Sequence, residues 1–340
     1  MDLFSSPDDL SRFLREMPSR TPIYAVRASH RQRELVKPPG SLGRLEDIAE
    51  FMASWADGGI PRADELRGIV FAGSHGVTAQ EVSPYPPSVT GQMVATFRRG
   101  GAAINVLARL NKIELDVVPL SIEQPTGDIS LGPAMTMDET LEALNSGAAA
   151  VRSPCDLLVL GEMGIGNTTV ASALLARAFG GDGAFWAGRG TGLDEAGVRH
   201  KAAVIDRALE LHSDAPRTAF WSLSRLGGRE HAALAGAIVQ ARLEQIPVLL
   251  DGFVVASVLG TLFAEQPDIT THCLAGHLSD EQGHVKALRL MRLSPLIDLG
   301  IRLGEGAGAA LAANMVRAAV ALHNEMATFA DAGVSKAEGD

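Results

Sequence analysis

The chain has 340 residues, 46% hydrophobic and 21% charged, with 5% aromatics and 36 glycines. That fits a soluble globular enzyme with an aliphatic core and many tight turns, built as one large domain or one large plus one small. A formal net charge of −10 argues against a nucleic-acid partner, though not against a local basic pocket for a small phosphate.

Cys155 and Cys273 form no disulfide framework and fit a reduced, cytoplasmic compartment. The acidic start, MDLFSSPDDL, is not a secretory signal. No apolar run of about 18 residues predicts a membrane span.

Residues 1–60 read as helical. Ser6-Pro7-Asp8-Asp9 is a helix start, with Leu10, Phe13 and Leu14 on one face. Pro38-Pro39-Gly40 stops a helix. Leu45, Ile48, Ala49, Met52 and Trp55 then recur at helical spacing and belong to the core.

From Arg67 onward, short apolar runs alternate with helical segments. Strands are expected at Gly68–Ala72, Ile113–Leu120, Leu157–Leu160, Ile246–Leu250 and Ile269–Leu274, and a short one at Ala184–Ala187. Helices are expected around Val89–Phe97, Ala102–Leu110, Asp138–Val151, Asp194–Leu211 (capped by Asp194), after Gly228, and from about Gly306 to Ala327. The alternation predicts an α/β, doubly wound, mostly parallel Rossmann-like sheet covered on both faces. The expected organisation is a small helical lobe from residues 1–60 plus about 306–330, an α/β catalytic domain over 61–305, and a loose tail over 331–340.

The centre of the chain is LLVLGEMGIGNTT, Leu157–Thr169. A buried strand, three glycines (Gly161, Gly164, Gly166) and then Thr168 and Thr169 opening a helix can aim free N–H groups at an anion. A tight structural turn would look the same. No Gly-Lys-Ser/Thr ends the loop, so it is not a Walker loop. Glu162 would repel a phosphate, so it should face another part of a ligand.

Ligands of such sheets bind beyond the carboxyl ends of the strands. His75, Glu162, Arg189, Thr191, Asp251, Ser279–His284 and Glu305 fall there. Glu305, between Gly304 and Gly306 before an apolar helix, reads either as a first-turn acid or as a base on a closely packed loop. Lys201 reads as a solvated helix lysine. His277 and His284, with Asp280 and Glu281, match no zinc spacing and read as a hydrogen-bonded loop cap or as supports behind a site. His75 is expected to border a pocket, His231 to hold a helix start, and Asp251 to cap the turn after its own strand.

Six motifs in one order extend this reading: KPPGSLGRLE at Lys37–Glu46, HGV…VSPYP…VTGQMV at His75–Val94, GEMGIGNTT at Gly161–Thr169, GRGTG at Gly188–Gly192, LLDGF at Leu249–Phe253 and LGEGAGAAL at Leu303–Leu311. Over about Lys37 to Leu311 the chain resembles the nicotinate-nucleotide:5,6-dimethylbenzimidazole phosphoribosyltransferases of cobalamin lower-ligand synthesis. Ser74 departs from the acidic residue expected before the His-Gly pair.

The resemblance implies transfer of phosphoribose from nicotinate mononucleotide to a benzimidazole with inversion, without cofactor or metal. The pyridinium leaves as a neutral ring, so one carboxylate base suffices. It implies Glu305 as that base and Glu162 at the ribose. It places phosphate and ribose on the backbone of Gly164, Gly166, Asn167 and Thr168 and of Gly190, Thr191 and Gly192, with Lys201 nearby. Ser83, Tyr85, Gln92 and Leu303 would form the slot for the flat acceptor. A homodimer is also implied. A different aromatic acceptor on the same donor, or a non-catalytic nucleotide sensor, remains open from the sequence.

Overall fold

The computed structural model describes residues 2–335, so residues 336–340 of the expected tail lie outside it. Helices α1 (Pro7–Glu16), α2 (Pro22–Glu34) and α3 (Arg44–Trp55) precede strand β1 (Leu66–Ala72). Helices α4 (Val89–Arg98) and α5 (Ala103–Leu110) lead to β2 (Ile113–Pro119), and α6 (Met137–Ala150) leads to β3 (Leu157–Met163). Next come α7 (Asn167–Phe179), α8 (Gly183–Trp186), α9 (Glu195–Leu211), α10 (Ala219–Leu226), α11 (Arg229–Leu243) and β4 (Val248–Leu250). Helix α12 (Phe253–Glu265), β5 (Cys273–Leu278), α13 (Gln282–Leu290), β6 (Pro295–Asp298), α14 (Ala307–Glu325) and α15 (Phe329–Ala332) complete the described chain.

The six strands form one sheet in the order β2-β1-β3-β4-β5-β6. Every pairing is parallel. Strand order therefore reverses between β1 and β3, the position where doubly wound sheets open a crevice for ligands.

Alternate residues of the central strand feed two cores. Leu158 and Leu160 join Phe71, Val248 and Leu250 under residues of α6, α7, α11 and α12. Leu157 and Val159 join Val70 and Leu249 under residues of α3, α5 and α14. Burial on both faces explains the unbroken apolar run at Leu157–Leu160. The two ends of the chain are clasped together: Arg31 Nε donates to the His323 carbonyl at 2.7 Å, and Leu35 makes an antiparallel bridge with Thr328.

Two expected strands are corrected. Ala184–Ala187 is not a strand. Residues 183–186 form one helical turn, started by the Asp182 side chain accepting from Phe185 N at 2.8 Å. Residues 267–272 form a 3-10 turn, and the strand is Cys273–Leu278. Edge strand β6 is unheralded in the sequence: it starts at a proline and is only half-buried.

Candidate active site

Beyond the carboxyl ends of β1, β3, β4 and β5 lies a cavity of about 460 Å³. Its floor is the glycine loop after β3. Gly166 takes φ +93° as the N-cap of α7, a conformation that strains any side chain. The loop and the first turn of α7 therefore present Gly164, Ile165, Asn167 and Thr168 to the cavity. Gly190, Thr191, Tyr85 and Leu303 also line it, the last two about half exposed.

Two carboxylates face this space. Glu162 is buried and accepts a hydrogen bond from the Asn167 amide. Burial pushes its carboxyl well above the usual range, and Glu230, Asp251 and Glu305 push it further. Glu305 sits at φ +65° between Gly304 (φ +79°) and Gly306 (φ +84°). It is 6% exposed, and among the described residues its carboxylate has no hydrogen-bond partner. Burial, then the neighbouring Asp251, raise its pKa to about 7.

Glu305 is held from behind. Its N–H donates to the Glu162 carbonyl at 3.2 Å. Asp251 accepts from Gly306 N at 3.0 Å and Ala309 N at 2.9 Å. Asp251 thus caps α14, more than fifty residues away, rather than the turn after its own strand. Gly161 lets the loop descend onto β3: a Cβ there would lie 2.6 Å from Gly306 Cα and 2.7 Å from the Glu305 carbonyl carbon.

Lys201 is fully buried, not solvated. Its Nζ donates to Thr168 Oγ1 at 2.8 Å and to the Gly188 carbonyl at 3.4 Å, and burial lowers its pKa to about 8. It joins the two glycine loops from beneath the cavity. Ser83 is also outside the lining and meets Thr191 through their hydroxyls at 3.0 Å. Gln92 is exposed and does not line the cavity, and Gly192 borders an adjoining one.

His75, His231, His277 and His284 are internal. His284 Nδ1 accepts from Ser279 N at 2.9 Å, a loop cap as expected, and burial holds its pKa near 3. His75 does not border the cavity: it is buried behind the glycine loop. Ser74 Oγ donates to the Ile122 carbonyl at 2.7 Å and holds that loop without an acid.

Val89, Met93, Phe253 and Arg302 line the cavity without having been singled out as site residues. Met93 and Phe253 lie inside two of the motifs, and Arg302 directly precedes LGEGAGAAL, so position beside a motif was the available signal. A separate cavity of about 510 Å³ lies at the opposite end of the sheet, beside Tyr24, Trp55 and Cys155, and shares none of these loops. Among the described residues, no helix is long and apolar enough to cross a membrane.

A family model described as "Phosphoribosyltransferase" matches residues 18–334. A nicotinate-nucleotide--dimethylbenzimidazole phosphoribosyltransferase of Novosphingobium aromaticivorans is 51% identical over 335 residues, 98% of this chain and 99% of that protein. One of the same name from Mesorhizobium japonicum is 48% identical over 333 residues, 98% of this chain and 99% of that protein. A crystal structure of the Thermus thermophilus enzyme of that name superimposes with a TM-score of 0.87 at 36% identity, covering 93% of this chain and 100% of that one. The chain belongs to the nicotinate-nucleotide–dimethylbenzimidazole phosphoribosyltransferase family.

Proposed function

We propose that the protein transfers phosphoribose from nicotinate mononucleotide to 5,6-dimethylbenzimidazole, giving nicotinate and α-ribazole 5′-phosphate for the lower ligand of cobalamin. The observation that carries this is Glu305, a buried carboxylate in the cavity with no hydrogen-bond partner among the described residues and a pKa raised to about 7. A group poised there takes up a proton near neutral pH.

The imine nitrogen of the benzimidazole attacks C1′ of the ribose. The C1′–pyridinium bond breaks, and its electron pair neutralises the nicotinate ring. The N–H proton of the acceptor passes to Glu305. One in-line displacement turns a β-nucleotide into an α-nucleotide. Tyr85, Val89, Met93 and Leu303 supply an apolar slot for the flat acceptor. The backbone of Gly164–Thr168 and Gly190–Thr191 receives phosphate and ribose, with Lys201 fixing the two loops against each other. Burial and the neighbouring carboxylates push the Glu162 carboxyl above its usual range. The pyridinium of the donor draws it toward the carboxylate, which then stabilises positive charge developing on the ribose. A sensor would have no use for a partner-free base in its cavity, so turnover is the favoured reading.

The test is nicotinate release in buffer stripped of metals, with and without dimethylbenzimidazole. Release that requires the benzimidazole and matches α-ribazole phosphate is expected. No release from folded, nucleotide-binding protein, across a panel of acceptor rings, would overturn the transferase reading.

The pH profile follows from the sign of the Glu305 shift. Its carboxylate must be ionised to accept a proton, and burial raises its pKa to about 7. We expect kcat/KM to fall about tenfold per pH unit below that value. A profile flat from pH 5.5 to 8 would remove Glu305 from the base role.

The protein is further proposed to be a cytoplasmic homodimer. Sedimentation at micromolar concentration is expected to give twice the 35.7 kDa chain mass. A single 35.7 kDa species would refute the dimer.

A further inference from the structure

His75 and Glu230 form a buried pair that no step above uses. His75 Nε2 lies 2.5 Å from Glu230 Oε1, and both side chains are fully buried. His231 Nδ1 approaches the same oxygen at 2.9 Å. Glu230 stands in the first turn of α11, where a helix N-terminus favours a carboxylate. His75 follows β1, at the point where strand order reverses.

The pair lies directly under the ligand loop. A Cβ on Gly164 would sit 2.7 Å from the Gly73 carbonyl and 3.0 Å from His75 Nε2, and one on Gly166 would sit 3.6 Å from His75 Cβ. On the other side, a Cβ on Gly73 would run into Glu230 Oε2, and one on Gly228 into the His75 ring. Four glycines therefore close around the two side chains. The ladder between β1 and β3 continues into this region, with Gly73 N donating to Met163 O at 3.0 Å. The cavity faces the loop from above and the imidazole supports it from below.

The geometry points to His75, held by Glu230, as the positioning residue that sets the height of the Gly164–Thr168 loop and so the fit of the donor's phosphate and ribose. An apolar side chain of equal volume would fill the same space. It would not specify one ring orientation, which a directional bond from Nε2–H to a fixed carboxylate does. The cluster also leaves His75 Nδ1, Glu230 Oε2 and His231 Nε2 buried without partners. Unpaired buried polar atoms are unfavourable, so filling volume does not account for this choice of residues.

The same three residues offer ligand atoms within 4.8 Å of one another, a set that a divalent metal could use. His75 Nε2 and Glu230 Oε1 instead lie as a hydrogen-bonded pair. Two ligands on a tetrahedral zinc would stand about 3.3 Å apart, given bonds of about 2.0–2.1 Å. That separation is wider than the one between His75 and Glu230.

This inference rests on the transferase reading, so wild-type turnover is measured first; its absence counts against that reading and moves the donor measurement to calorimetric Kd. The variants are His75→Asn, which withdraws the N–H from the Nε2 position, and His75→Gln, which keeps one there. We expect His75→Asn to raise KM for nicotinate mononucleotide at least tenfold and leave KM for dimethylbenzimidazole within twofold. His75→Gln should recover the donor KM to within threefold of wild type. If His75→Asn does not fold, Glu230→Gln, isosteric and uncharged, should still raise donor KM at least threefold. Donor KM unchanged in a variant with lowered Tm would mean a structural role only and would overturn the proposal. Stoichiometric zinc or another transition metal in the purified wild type, lost in His75→Asn, would also overturn it.

Discussion

Glu305→Gln is expected to lower kcat by about 10³-fold, within the range of about 10²–10⁴ that a positioned base contributes, while donor affinity stays within a few-fold of wild type. Glutamine keeps the volume and the backbone contacts at φ +65° but cannot take the acceptor's proton. The wild-type carboxylate has no hydrogen-bond partner among the described residues, so the substitution strands no buried donor. Fold and nucleotide binding should therefore survive, and the loss should fall on the chemical step. Nicotinate release gives kcat, and calorimetric titration with nicotinate mononucleotide gives Kd. Wild-type rates would move the base elsewhere, and a large loss of donor affinity with unchanged kcat would make Glu305 a binding residue.

Gly161→Ala should damage the same step without altering any polar side chain. A Cβ at this position of β3 would lie 2.6 Å from Gly306 Cα and 2.7 Å from the Glu305 carbonyl carbon, with Gly306 N closer still. All three atoms are backbone, so no side chain can swing aside. Either β3 or the base loop must shift. Overpacking of this kind costs about 1–3 kcal/mol, and moving a reacting group by about 1 Å costs about 10²-fold in rate. We expect kcat to fall about 100-fold, with a lowered Tm. Gly132→Ala is the control, since a Cβ there meets nothing within 4 Å. Equal behaviour of the two variants would show that the close approach of the loop to β3 is not needed.

The central strand, the glycine loop and the helix after it were legible because each has a local cause. Leu157–Leu160 is apolar throughout since both faces are covered, and glycine is needed where φ is positive. Short apolar stretches carry less information. Ala184–Ala187 and Ile269–Leu274 have strand-like composition, yet the first begins with an Asp182 cap and the second with a proline-started turn. Capping decides such runs over side-chain preference. Long-range partners were out of reach. Nothing near Asp251 announces that its carboxylate holds the start of a helix at Gly306, or that His75 waits for Glu230. Lys201 looked like a surface lysine because its helix is otherwise polar; burial by the two glycine loops is a property of the assembled fold.

The capping of α14 by Asp251 has a consequence for motion. Gly306 and Ala309 share one buried carboxylate that is anchored at the end of a central strand, and α14 continues for 19 residues across the sheet face and into the clasp with α2. Displacing Glu305 means withdrawing that carboxylate from two donors inside the core, an opening that belongs with global unfolding rather than local fluctuation. Glu305 is therefore mounted on a wall tied to the core through Asp251. We expect the opening that admits a flat acceptor at the half-exposed Tyr85 instead.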